Sequence, residues 1–259
     1  MATLRSKLKK ISPWPIHYLY RKIYYFPKDF SEACKFIFHK TKTPTTFWQR
    51  KMLVWKFYRI SYLVDCPHTE HEMIHIARAM LDLGDIPGAL VECGAFHGGS
   101  TAKFSLVAKL AKREFHVFDS FEGMPENKEA GGESIYGREH HFPKGSHAVR
   151  IDEVRENVEK YGDISRTKFH KGFFSETLPD FKEPVALACM NVDLALSTKD
   201  CLKYLSPLMS KDGIIYSQDA HFPWIIELLK DDRFWQNEIG ILKPKMDDLG
   251  KLKFVAIHY

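Results

Sequence analysis

Leu90-Val-Glu-Cys-Gly-Ala-Phe-His-Gly-Gly-Ser100, followed by Phe115-His-Val-Phe-Asp-Ser-Phe-Glu-Gly-Met-Pro125, decides the fold. The first stretch reads as a buried strand running into a glycine-rich turn and then a helix. The second reads as a short apolar strand that ends on an acid. Strand, glycine turn, helix, strand and terminal Asp, in that order, is how α/β sheets build a pocket for an adenosine-containing cofactor. Gly94, Gly98 and Gly99 are expected to let the backbone pass close to the ligand, where a Cβ would obstruct it. Asp119 is expected at the carboxyl end of its strand, with both oxygens open to the ribose hydroxyls. The spacing Glu92-x-Gly-x-x-x-Gly-Gly is not the Gly-x-Gly-x-x-Gly of dinucleotide binders, and it turns the reading from NAD toward S-adenosylmethionine.

Farther along the chain, Val185-Ala-Leu-Ala-Cys-Met-Asn-Val-Asp193 is an apolar run ending on an acid, the mark of a central parallel strand buried on both faces. Thr167–Lys171 and Gly213–Asp219 read as further strands. Helices are expected through Val149, Val154 and Val158, over Thr198–Leu208 and over Pro223–Leu229. Another helix starts at a capping box made by Thr69 and Glu72, carries Met73, Ile76, Ala77 and Met80 on its apolar stripe, and ends near Gly84. Phe121–His147 reads as a long structureless loop over a site. The tail, Gly240-Ile-Leu with Lys251–Tyr259, reads as a closing hairpin around Asp247–Gly250. Strands alternating with helices require a mostly parallel, doubly wound sheet with right-handed crossovers, and three successive strands then deliver Asp119, Asp193 and Asp219 to one edge.

The 259 residues are 44% hydrophobic and 27% charged, ample for one large α/β domain with an extension. The net charge of +5 is concentrated at the start, in Arg5, Lys7, Lys9, Lys10, Arg21 and Lys22, so no uniform basic face points to nucleic acid. The 5 cysteines are scattered and lack a Cys-x-x-Cys pair. Cys93 and Cys189 read as small core residues of a reduced, cytoplasmic protein. No run approaches the roughly 20 apolar residues of a membrane span, and the basic start is expected not to be a secretory signal. Residues 1–65 read as a basic, aromatic, helical extension. Its Trp14, Ile16, Tyr18, Leu19, Tyr20, Ile23, Tyr24, Tyr25 and Phe26 are expected to pack on the domain or on a second subunit of a homodimer. Peripheral contact with an anionic membrane is the other reading. Packing is preferred, because Pro13, Pro15 and Pro27 should interrupt a long amphipathic helix.

Ile86–Gly99, Phe118-Asp-Ser-Phe-Glu-Gly-Met-Pro125, Gly172-Phe-Phe-Ser-Glu-Thr-Leu-Pro179, Asp193-Leu-Ala-Leu-Ser-Thr198 and Leu205–Gly213 resemble the macrocin O-methyltransferase family, in the same order and at similar spacing. The resemblance covers roughly residues 86–222, and the Asp-Ser-Phe-Glu-Gly-x-Pro block is its most specific part. It implies an α/β, Rossmann-like class I methyltransferase domain over residues 66–259, binding S-adenosylmethionine and acting on the hydroxyl of a sugar in a small molecule or glycan, often with a divalent metal such as Mg²⁺. It places Glu92, Gly94, His97, Gly98, Gly99 and Ser100 around the methionine end of the cofactor. Asp119 would hold the ribose, with Ser120 and Phe121 beside the adenosine and Phe173 and Phe174 walling the adenine. Core packing is the other reading of those two phenylalanines.

The sequence departs from the family where carboxylates are expected. Asn191-Val-Asp193 stands in place of Asp-Gly-Asp, and Gln218-Asp219 in place of a pair of aspartates. A metal on Asp193 and Asp219 is therefore expected to be weak or absent, since amides supply less charge to a hard cation. Candidates for the base that takes the acceptor's proton are Asp193, Asp219 and His221. His221 is favoured because histidine titrates near neutral pH, and His140 and His141 are able to close from the loop. His68, His71 and His75 read as an entrance-lining face rather than a zinc site, and Lys144 and Arg150 as solvated or facing an acidic substrate. Asn191, Gln218, Ala195 and Leu196 leave open a catalytically inactive binding or scaffold protein. Asp119 alone leaves open a nicotinamide-dependent oxidoreductase. Acceptor choice is expected to lie in the long loop and the extension.

Overall fold

Two strands with no polar face fix the centre of the molecule. In a computed structural model that describes residues 14–127, 129 and 131–259, β1 (Ala89–Cys93) and β6 (Val185–Met190) lie side by side and are buried at every residue. The remaining strands are β2 (Phe115–Asp119), β5 (Thr167–Lys171), β7 (Met209–Ser217), β8 (Lys245–Asp247) and β9 (Val255–His258). The sheet order is β5-β2-β1-β6-β7-β9-β8, parallel from β5 through β7 and antiparallel for β9 and β8. The order reverses between β2 and β6, with β1 between them, which is where open α/β sheets bind ligands.

Helices cover both faces. On one side lie α1 (Trp14–Phe38), α2 (Phe47–Leu63), α3 (Glu70–Asp82), α4 (Gly99–Ala111) and α5 (Ile151–Tyr161). A short α6 (Phe174–Thr177) follows β5, and α7 (Ala195–Leu205) and α8 (Pro223–Lys230) cover the other face with Phe234 and Trp235. No described helix is long and apolar enough to cross a membrane. The extension shares the core of the domain. Ala33, Phe36, Leu53, Phe57, Ile60 and Val64 belong to the same apolar cluster as Leu90, Phe104 and Val117. Inside that cluster Lys103 on α4, fully buried, bonds Ser61 of α2 at 2.6 Å and pairs with Glu70 of α3 at 3.2 Å.

Three expectations need correction here. The Phe121–His147 stretch is not structureless, since β3 (Gly132–Glu133) and β4 (Glu139–His140) pair within it as a small antiparallel hairpin. The first arm of the closing hairpin is Lys245–Asp247, not Gly240–Leu242, because Phe234–Ile239 coils into a helical turn ending on Gly240. Pro27 does not end α1. The turn after it is held by Asp29 to His71 at 2.9 Å and Glu32 to Arg78 at 3.1 Å, and Ala33 and Phe36 are buried beyond. Of the expected aromatic arm, Ile23, Tyr24 and Phe26 are exposed, while the side chains of Trp14, Ile16, Tyr18, Leu19 and Tyr20 lie outside the described residues.

Candidate active site

At the carboxyl edge of β1 and β2 the backbone is tightly constrained by protein. Gly94 has φ 93°, and a Cβ there would stand 2.1 Å from the Asn191 carbonyl oxygen. A Cβ on Gly98 would meet Val154 at 2.9 Å, and one on Gly99 would meet Cys66 at 2.8 Å. The space that a side chain would fill at these glycines is thus taken by β6's following turn, by α5 and by the segment after α2. Close approach of chain to chain by itself already requires glycine at these positions. The same turn carries Phe96 at φ 50°, a left-handed conformation costly for a bulky residue.

Asp119 explains why that strain persists. Its Oδ2 accepts the Ala95 N–H at 2.7 Å and its Oδ1 accepts the Phe121 N–H at 2.7 Å. One carboxylate therefore ties the glycine turn to the turn after β2, where Phe121 is also left-handed at φ 56°. Burial raises its pKa, and the N–H groups of Phe121, Ala95 and Phe96 offset part of the rise. Each oxygen keeps a second lone-pair direction, so the bonds that orient the group leave it able to take two hydroxyls. Glu92, buried on β1, accepts the Thr101 hydroxyl at 2.6 Å and a bond from Ser100. Burial pushes its pKa up to about 7 against those bonds, and Asp119 adds to the rise. A buried carboxyl without a cationic partner suits a ligand that brings its own positive charge.

The other expected nucleoside contacts are mixed. His97 Nδ1 is 2.7 Å from Glu153 on α5. The Ser120 hydroxyl closes its own turn, donating to the Gly123 carbonyl at 2.9 Å and accepting the Glu122 N–H at 3.1 Å. Phe121 is buried beside Phe169, and Phe174 packs into the second apolar cluster, so core packing accounts for both. Phe173 follows Gly172, whose N–H donates to the Asp119 carbonyl at 3.1 Å, and it stays half-buried beside that strand end.

At the edge of β6 and β7 the structure brings Asp193 and Asp219 together. Asp219, 1% exposed, accepts the N–H groups of Val192 at 2.7 Å and Asp193 at 3.1 Å on Oδ2. Those bonds hold Asp193 in the left-handed region at φ 61°, and the Trp224 indole N–H donates to the Asp193 carbonyl at 3.0 Å. Burial raises both carboxyls well above the usual carboxylate range, and their mutual repulsion raises Asp219 further. Asp219 Oδ1, Gln218 Nε2, Ser217 Oγ and His221 Nδ1 are all buried without a hydrogen-bond partner among the described residues. Four such atoms within residues 217–221 leave this strand end with unused hydrogen-bonding capacity.

His221 is brought to the site but not as a base. Burial lowers its pKa to about 3, and Lys253 and His140 lower it too, so the ring stays neutral and a poor proton acceptor. The Asp193 and Asp219 carboxyls beside it are shifted the other way, toward the range where a group takes up a proton near neutrality. Over it folds the long loop. The Ile135 N–H donates to the His221 carbonyl at 2.9 Å, and His140 packs edge-on against His221 and Phe222. His141 stays exposed. Glu129 of the loop accepts the Ala195 and Leu196 N–H groups at 2.6 and 2.9 Å, capping α7 beside Asp193.

The residue that sequence reading missed is Lys253. β9 pairs antiparallel with β7 through Ser217 and Val255, and Lys253 lies in the turn just before β9, where its charge acts on Asp193 and Asp219. Its ammonium offsets the rise of Asp193 and Asp219, and His221 bonds its backbone. Burial works against the Glu72 carboxylate, yet Lys253, His68, the Thr69 N–H and His71 hold its pKa at about 2. The donor set fits a divalent metal poorly. Among the described residues no three His, Cys, Asp or Glu groups converge, and a cation already faces the pair. His71 and His75 are not an entrance face either: they turn to Asp29 and Glu32 of α1, at 2.9 and 3.6 Å. Lys144 pairs with Glu126 in solvent, at 3.2 Å, and Arg150 is exposed.

A family model described as macrocin-O-methyltransferase matches residues 65–243. The chain is 35% identical over 173 residues to the 8-demethyl-8-(2,3-dimethoxy-alpha-L-rhamnosyl)-tetracenomycin-C 4'-O-methyltransferase of Streptomyces olivaceus, covering 60% of this chain and 64% of that protein. It is 31% identical over 168 residues to the demethyldecarbamoylnovobiocin O-methyltransferase of Streptomyces niveus, again covering 60% and 64%. The matches thus span less than two thirds of these relatives' own length. Among solved structures, the O-methyltransferase NovP superposes with a TM-score of 0.60 at 26% identity, covering 74% of this chain and 81% of that one.

Proposed function

The chain belongs to the macrocin O-methyltransferase family, and from that premise we propose that it transfers a methyl group from S-adenosylmethionine to a sugar hydroxyl of a small molecule or glycan. The observation that carries the reading is the pairing of two half-sites along one sheet edge. One half offers Glu92 and Asp119, carboxyls aligned by backbone and side-chain donors. The other offers Asp193 and Asp219, with Asp219 Oδ1 buried without a partner among the described residues and three more such atoms on Ser217, Gln218 and His221. When bound, the cofactor supplies an electrophilic methyl on a sulfonium centre.

Asp119 would hold the ribose hydroxyls through its two carboxylate oxygens, and Glu92 would supply negative charge toward the cofactor's cationic end. The Ser217–His221 turn orients the acceptor: Gln218 Nε2 donates, while His221, neutral, donates or accepts at Nδ1. Asp219 Oδ1 takes the hydroxyl proton, and the Asp193 carboxyl beside it shares the charge. Asn191 and Gln218, which motivate the inactive alternative, leave this pair intact. The loop carrying Ile135, His140 and Glu129 excludes water from above. The five cysteines are free thiols, all but Cys34 buried, which supports a cytoplasmic setting.

Calorimetry with S-adenosylhomocysteine tests the first half, and transfer of labelled methyl to a panel of glycosides tests the second. Binding that Asp119→Ala weakens, and transfer that Asp219→Asn abolishes, are the expected results. Absence of cofactor-product binding to the wild-type chain overturns the reading.

A further inference from the structure

Helix α2 is apolar on both sides. Its inner face buries Leu53, Phe57 and Ile60 in the core. Its outer face presents Trp48, Met52, Trp55, Arg59 and Tyr62, spaced four, three, four and three residues apart, which is one continuous stripe on a helix. Trp48 is 69% exposed, Trp55 54% and Tyr62 55%. Phe47, Leu63 and, on α1, Ile23, Tyr24, Phe26, Phe30 and Phe38 add further exposed apolar surface. A helix apolar all round is ordinarily covered on both faces, and a patch of this kind marks an interaction site.

Charge identifies what covers it. Residues 1–63 contain 14 of the 38 Lys and Arg but 2 of the 33 Asp and Glu, giving +12 there against −7 for the rest of the chain. The two acids, Asp29 and Glu32, are buried in pairs with His71 and Arg78, so the outer surface of the extension is cationic alone. Lys51 lies over the Trp48 ring at 4.9 Å and Arg59 over Trp55 at 5.5 Å, so basic heads and aromatic rings share one surface. A second copy docked on the same face by two-fold symmetry would set Lys51, Lys56 and Arg59 against their own counterparts with no acid between them. Trp and Tyr mixed with Lys and Arg on a convex helix instead match the boundary between lipid headgroups and acyl chains.

We propose that the outer face of α2, with the exposed aromatic residues of α1, docks this protein on the surface of an anionic phospholipid bilayer. Aromatic rings enter the headgroup boundary and the lysines and arginines meet lipid phosphates. Only an anionic surface gathers the cationic heads, and only an apolar boundary accepts the rings, so both features are needed.

Cosedimentation of the intact chain with phosphatidylcholine vesicles, with and without phosphatidylglycerol, tests the proposal. The expected result is binding to the anionic vesicles alone, lost at high salt, with a blue shift of tryptophan emission. Trp48→Ser with Trp55→Ser, and separately Lys51→Gln with Arg59→Gln, should each weaken binding by about tenfold while leaving the melting temperature and S-adenosylhomocysteine affinity unchanged. Absence of sedimentation with anionic vesicles overturns it. So does a dimer, by light scattering, that the tryptophan substitutions abolish and vesicles do not displace. Tighter binding of a single-stranded oligonucleotide, lost in the same variants, overturns it in favour of nucleic acid. Cofactor-product binding is read on the same samples, so failure here is separable from failure of the enzymatic reading.

Discussion

Asp219→Asn separates the work of the carboxyl pair from the scaffold it stands on. Asparagine is nearly isosteric and keeps one oxygen for the N–H groups of Val192 and Asp193, so the left-handed turn at Asp193 should survive. What is lost is the unpartnered Oδ1 as a proton acceptor. General base catalysis is typically worth about 10²–10⁴ in rate, so kcat should fall by that factor while S-adenosylhomocysteine affinity, set at Glu92 and Asp119, stays level. The same substitution has a stability signature. Burial and Asp193 raise the Asp219 pKa from 3.8 to about 7, so the folded chain holds a proton that the unfolded chain has already released. Stability from that proton is complete below pH 3.8 and is lost as pH rises through about 7. Thermal melts of the wild type should therefore fall between pH 4 and 8, and those of Asp219→Asn should fall less. Stopped-time methyl transfer and melts across that range measure both. A variant that keeps kcat within about threefold of wild type refutes the base assignment, since a lost general base cannot cost so little.

Lys253→Met removes the cation facing the pair. Both carboxyls should then ionise at higher pH, moving the acidic limb of the kcat profile upward with little change in the alkaline plateau. An unmoved limb would show that Lys253 acts elsewhere. Glu92→Gln should flatten the pH dependence of S-adenosylhomocysteine affinity. In the wild type, affinity should strengthen as pH rises through about 7 and Glu92 ionises against the ligand's ammonium, and titration calorimetry at several pH values reads this directly. Lys103→Ala removes the buried cation that pairs with Glu70 between α2, α3 and α4, and should destabilise the fold by about 3–5 kcal/mol in urea melts. Lys103→Met with Glu70→Leu should recover most of that loss.

The parts of the fold legible in the sequence are those whose signal is local. β1 and β6 read as strands because a strand buried on both faces is a near-continuous apolar run, and both proved buried throughout, with Glu92 the one charged residue among them. The Thr69–Glu72 capping box starts α3 where the sequence places it. Asp119 and Asp219 are legible as acids at strand ends, because the carboxyl edge is the only place on such a strand where a charge is tolerated. The rest depends on partners far apart in the chain. β3 and β4 are two residues each, too short for any alternation to register. Lys253 reaches the site only because an antiparallel strand returns beside β7, and nothing around it in the sequence resembles a functional motif. The pKa of His221 is set by its burial beneath Tyr136 and His140 of the loop, so a residue that reads as a neutral-pH base is held uncharged.

The departures from the family pattern and the presence of Lys253 then have one physical account. A cluster of carboxylates at the ends of β6 and β7 is stable only when something positive neutralises it, whether a bound cation or a side chain. Here Asn191 and Gln218 stand where the family pattern has two carboxylates, and the turn before β9 brings the charge of Lys253 to bear on Asp193 and Asp219. Fewer carboxylates and an internal cation lower the demand for a metal from both directions. The remaining pair still holds its protons more tightly than free carboxylates do, which keeps Asp219 strong enough as a base to take a sugar hydroxyl's proton when the methyl group moves. On this account transfer by the wild type should be insensitive to chelators. Lys253→Met, with the internal cation gone, should gain a stimulation by Mg²⁺ or Mn²⁺ that the parent lacks. A wild type that chelators silence, and that Mg²⁺ revives, would show that the ammonium does not stand in for a metal.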